Sequence, residues 1–341
     1  MAWMQRLCGA WILAAFAAAA PAQTPPSYDF DFATIGAAGN AAYSGPDPWG
    51  LTMGRGAVGY EYRIARHEVT TSQWMEFLNT FAAQPQLFAP GGPRLLWGPS
   101  TGWGAQPDPT YSGPGRRYRL IPGLANAGLV PVHGVSWRDA ALLCNWLHHD
   151  KSASWATIQN GAYDASTFVN QPGGTWSDQR THHPDAKFWI PTLDEWIKAA
   201  HYDPNRYGPG QAGWWQYSNG SDSPPVPGLP GEGETSATLS LPGFAEYSIP
   251  LGAYPETQSP WELLDTSGGE QEWTEEIYSE RWRMLRGSSV GWASSLDLDR
   301  VYGVDTAQPF LEVGTLRIAS QVPAPGSAIL IVLTCVIRRK R

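Results

Sequence analysis

The chain's 37 glycines and 30 prolines, spread over 341 residues, constrain its folding more than any other feature. They cut it into segments too short for long helices or broad regular sheets. A core must then be built from large side chains carried largely on loops, and 18 Trp, 14 Tyr and 10 Phe are there to build it. That aromatic content excludes a disordered chain, whose hallmark is low hydrophobicity. Charged residues make up only 16%, against roughly a quarter in ordinary soluble domains. Lys plus Arg is 23 and Asp plus Glu is 31, so 23 − 31 leaves −8. Without a basic excess to neutralise phosphates, nucleic acid is excluded as an expected partner.

The two ends read as addresses. Arg6, an apolar run from Cys8 to Ala20, and Ala20-Pro21-Ala22 before Gln23 form the pattern of a secretory signal peptide over residues 1–22. The run is shorter than the roughly 20 residues that a spanning helix needs. At the far end, Val322-Pro323-Ala324-Pro325-Gly326 precedes an apolar stretch from Ala328 to Ile337 and the basic terminus Arg338-Arg339-Lys340-Arg341. That order resembles the PEP-CTERM sorting signals of exported bacterial proteins, with Ala324 standing where that family usually has Glu. The reading gives a folded part over residues 23–320, with its core at about 51–320, and a sorting or anchoring tail at 321–341. The expected location is secreted or cell-surface, the expected partners include export and sorting machinery, and membrane contact is expected only transiently through the termini. Of the three cysteines, only Cys144 lies in the body. No internal disulfide can form there, so stability must come from the core, from bound metal, or from both.

Within the body no internal repeat is visible. Tyr60-Glu61-Tyr62-Arg63-Ile64 alternates like a strand with one buried face. Thr70 and Gln73 have capping-box spacing ahead of Trp74, Phe77, Leu78 and Phe81, a helical apolar stripe. Ser136 reads as the N-cap of a second helix whose buried face carries Ala140, Leu143, Cys144 and Leu147. Thr192 and Glu195 repeat the capping box before Trp196, Ala199 and Ala200. From Asn205 to Gly252 periodicity disappears, and order there must come from side-chain packing or ligands.

Several segments in this order resemble the sulfatase-modifying-factor domain, the family of the formylglycine-generating enzyme. They are Ile64 to Thr70, Pro131 to Ala140, Ile190 to Trp196 with Ala199-Ala200, Asp265 to Thr274, Leu285 to Ser289, and Gly314 to Ser320. The resemblance implies an α+β, loop-rich single domain with a C-type-lectin-like core. It also implies copper-dependent oxidation of a sulfatase cysteine by two thiols, whose positions fall at Trp292 and Asp297. Neither residue can act as a thiolate, and no Cys or Met lies between Val290 and Gly314, so copper is not expected. Other relatives are non-haem iron enzymes, but the seven histidines include no set with ligand spacing, and His182-His183 reads as a surface pair.

The segment from Asp265 to Glu272 matches a calcium loop of the family. The resemblance makes the side chains of Asp265 and Glu272, with the carbonyls of Gly268 and Glu270, the ligands, an all-oxygen set of the kind Ca²⁺ prefers. The competing reading has Asp265 capping a turn and Glu272 solvated. Trp214, Trp215 and Tyr217, with Asn219 and Asp222, combine aromatic faces with polar groups and suit a glycan or protein ligand; the competing reading, a satellite core under a long loop, is the commoner use of such residues. The expectation is a non-catalytic, calcium-stabilised binding module. The alternatives are an oxidoreductase using a different site and a purely structural surface component.

Overall fold

The computed structural model describes residues 25–84, 102–291 and 296–322. The segment expected to be a signal peptide and residues 323–341 of the expected tail lie outside them, as does Trp292. In chain order the regular elements are β1 (Phe32–Ile35), β2 (Tyr62–Ala65), α1 (Thr71–Thr80), β3 (Ala105–Pro107), β4 (Tyr118–Leu120), α2 (Trp137–His148), α3 (Trp155–Ile158), β5 (Phe188–Trp189), α4 (Leu193–His201), β6 (Tyr202–Asp203), β7 (Gly213–Trp214), β8 (Glu272–Ser279), β9 (Trp282–Arg286), β10 (Asp305–Ala307) and β11 (Ala319–Gln321). All are short, as the glycine and proline content requires.

The main sheet runs β1-β2-β11-β5 and is antiparallel throughout, with Ile64 opposite both Ala33 and Ala319. Strands distant in sequence therefore close on one another. The strand expected from Tyr60 begins two residues later; within it Tyr62 and Ile64 are fully buried with the less buried Arg63 between them, while Tyr60, expected on the same face, is half exposed. Both capping boxes form, Thr70 with Gln73 and Thr192 with Glu195, and the Ser136 side chain accepts from the Asp139 amide. The apolar faces of α1 and α2 meet through Phe77 and Trp146, ring centroids 5.4 Å apart, over a core that includes Ile64, Trp137, Phe188 and Ile318. Cys144 is free and fully buried, and burial pushes its thiol well up. The long irregular segment is ordered by side-chain contacts, as expected: Thr235 Oγ1 donates to the Ser267 carbonyl at 2.8 Å and Tyr254 to that of Gly228 at 2.9 Å. A second sheet, β10-β9-β8, carries the residues that matter next.

Candidate functional site

The turn before β8 is built on two consecutive glycines with positive φ, Gly268 (83°) and Gly269 (62°), after Asp265 at 55°. A Cβ at Gly269 would run into the carboxylate of Glu68, so only glycine admits that side chain against the turn. The Glu68 carboxylate is buried; its Oε1 accepts from the Glu270 amide at 3.1 Å, while its Oε2 has no partner among the described residues. Burial pushes its carboxyl well up, and the charges of Glu272 and Asp265 add to the effect. Asp265 Oδ2 accepts from the Gly252 amide at 2.8 Å and meets His67 Nδ1 at 3.1 Å. Glu272 is held differently from the solvated carboxylate of the competing reading. Arg317 grips both its oxygens at 2.8 and 3.0 Å, and Trp196 Nε1 donates at 2.8 Å, all in the interior.

Glu272 is therefore neutralised within the fold, and Glu68, which sequence reasoning passed over as a site residue, makes no ion pair among the described residues. Asp265 Oδ1, Glu68 Oε2 and the carbonyls of Gly268 and Glu270 receive no hydrogen bond among the described residues. All four are oxygens, the donor type that calcium takes, although no group of three or more His, Cys, Asp or Glu side chains among the described residues is gathered to hold a metal ion. The only trace of Glu68 in the sequence is its place one strand-end before the Thr70 cap.

The expected aromatic surface divides. Trp214, Trp215 and Asp222 wall a cleft of about 570 Å³ together with Arg206 and Tyr207. Arg206 lies 4.4 Å from the Trp215 ring centroid and 4.9 Å from that of Tyr207, and it pairs with Asp222 at 2.5 Å. Gly56, at φ 84°, lets Trp214 pack where any Cβ would strike its ring. Tyr217 and Asn219 do not line the cleft. Tyr217 is 2% exposed and packs under the Arg300 guanidinium at 4.9 Å, so its role corrects to core. The pair expected at the surface also needs correction. His183 is exposed, but His182 stacks on Trp189 at 4.6 Å and meets Glu275 at 2.9 Å, which raises its affinity for a proton against the opposing effect of burial.

A third feature had no signal in spacing. His133 Nδ1 pairs closely with Glu270 Oε2, and both residues wall a cavity of about 490 Å³ bounded by β9 and β10. Ser289 lies on the same wall, in the segment that precedes the two thiol positions. Asp297, at the second of those positions, pairs instead with Arg300 at 2.7 Å.

The model of the sulfatase-modifying factor enzyme 1-like domain matches residues 52–312. Among solved structures the chain is similar to CarF (20% identity, TM-score 0.46, covering 86% of this chain and 99% of that one). It is also similar to Treponema denticola variable protein 1 (16%, 0.51, 86% and 95%) and to PvdO from Pseudomonas aeruginosa (13%, 0.43, 89% and 100%). At these identities, likeness to the Treponema protein speaks for the fold alone. No curated protein matches the chain. No helix among the described residues is long and apolar enough to cross a membrane. With the matched span covering well over half of its length, and with the fold mixed α+β and loop-rich, the chain belongs to the sulfatase-modifying-factor family.

Proposed function

We propose that this member of the family is an exported, calcium-stabilised binding module without thiol-based oxidase chemistry, and that its cleft at Trp214 and Trp215 takes a glycan. The observation that carries the reading is the cleft itself. A stack of Tyr207, Arg206 and Trp215 stands beside Asp222 and Gln216, and Tyr207 is 65% exposed. An open aromatic face flanked by hydrogen-bonding groups matches the alternating apolar faces and hydroxyl edges of a sugar. Against oxidase chemistry stand Trp292 and Asp297 at the positions where the family carries thiols. The buried Cys144 thiol is no substitute, since raised proton affinity suppresses the reactive thiolate.

An oligosaccharide array followed by NMR titration of the best binder tests the reading. Binding should map to Trp214 and Trp215, and Tyr207→Ala should weaken it roughly tenfold by removing the exposed ring. Absence of any glycan binding, or binding indifferent to Tyr207→Ala and mapping elsewhere, would overturn it.

A further inference from the structure

The cavity at His133 and Glu270 lies apart from the aromatic cleft, and none of its described lining residues is shared with it. Its lining mixes apolar Tyr247, Trp282, Leu285 and Leu311 with acidic residues, Asp305 standing opposite Leu285 across the β9–β10 pair. The acids are Glu270, Asp305 and Glu312, and no Lys or Arg lines the cavity among the described residues. Of the three carboxylates only Glu270 enters an ion pair there, with His133. The other ring nitrogen, Nε2, is buried and has no hydrogen-bond partner among the described residues, and His133 is only 4% exposed. Leu311 and Val313, 38% and 42% exposed, leave an apolar rim at the mouth.

We infer that this cavity is a binding site for a small protonated amine with an apolar or aromatic body. An ammonium group supplies the positive charge and N–H donors that this lining lacks, and a charge-assisted hydrogen bond to a carboxylate is stronger than a neutral one. The aromatic walls at Tyr247 and Trp282 add attraction for a cation as well as for the ligand's apolar part. A carboxylate ligand would face like charge from all three acids, of which Glu270 is largely shielded from solvent while Asp305 and Glu312 are exposed. The inference goes beyond glycan binding and does not depend on it.

Calorimetric titration of the whole chain with 2-phenylethylamine, 2-phenylethanol and 3-phenylpropanoate tests the charge preference. The amine should saturate one site, the alcohol should bind about tenfold more weakly, and the acid should give no binding heat. Glu270→Gln should weaken amine binding about tenfold while keeping the side chain's shape. Leu311→Lys, an exposed rim change that should leave the melting temperature unaltered, should weaken it similarly by like-charge repulsion and decides the matter if the first variant is unstable. Equal binding of the three probes, no saturation at millimolar amine, or amine binding that survives Leu311→Lys would overturn the proposal.

Discussion

Asp139 shows how burial changes what a residue does. Its place in the first turn of α2 is legible in the sequence, since Ser136 caps the helix and an acid there suits the helix dipole. Its burial is not legible. The structure leaves Asp139 Oδ1 without a partner, and burial pushes the carboxyl up to about 7; the Ser136 hydrogen bond opposes this and the Glu312 charge adds to it. The acid is raised from 3.8 in the unfolded chain, so the folded state binds more protons between those values. Stability contributed by the protonated form is present below about pH 4 and is lost as pH rises through about 7, a loss on the order of 4 kcal/mol at most. Asp139→Asn should remove that loss. Melting temperatures from pH 4 to 8, in about one-unit steps, should fall more steeply for the wild type than for the variant; parallel profiles would show that the carboxyl titrates normally. The pairing of His133 with Glu270 escaped the sequence reading for a similar reason, because residues 137 positions apart carry no spacing signal.

At the scale of elements, the helices were the most legible part, because capping and periodicity act within a few residues. Yet α4 exceeds its local signal. Glu195 completes the capping box by accepting from the Thr192 amide at 2.8 Å, and it also accepts from Trp189 Nε1 at 3.1 Å and from the Tyr60 hydroxyl at 3.0 Å. One carboxylate thus ties the helix start to β5 and to the segment before β2. Thr192→Ala removes a cap alone and should cost about 1 kcal/mol. Glu195→Ala strands a buried indole N–H as well and should cost roughly 2 to 3 kcal/mol. Urea unfolding would separate the two, and equal losses would show that the long-range bonds contribute nothing. The strands were less legible, since partners such as β2 and β11 are set by closure of the whole chain and not by neighbours.

For the molecule as a whole, the turn at Gly268-Gly269 decides how much of the stability belongs to an ion. If calcium binds there, a chelator should lower the wild-type melting temperature, by the equivalent of about 2.7 kcal/mol when free calcium had stood at 100 times the dissociation constant. Asp265→Ala and Glu68→Gln should blunt the response to chelator. Glu272→Ala is a poor probe, because it strands the buried Arg317 whether or not a metal binds, at roughly 3 to 5 kcal/mol. A wild type indifferent to chelator would show the turn to be closed by protein groups alone. By itself the sequence determined the loop-rich α+β class, the helix starts, the absence of an internal disulfide and the family, because each is written in composition, in short-range spacing or in motifs kept in order. Only the tertiary structure decided that Glu272 is spent on Arg317, that Glu68 stands at the turn without an ion pair among the described residues, that Tyr217 is core while Trp214 and Trp215 wall a cleft, and that His133 meets Glu270 across a cavity. The physical reason is that burial and charge pairing depend on which distant segments the packed aromatic core brings together, and no local pattern encodes that.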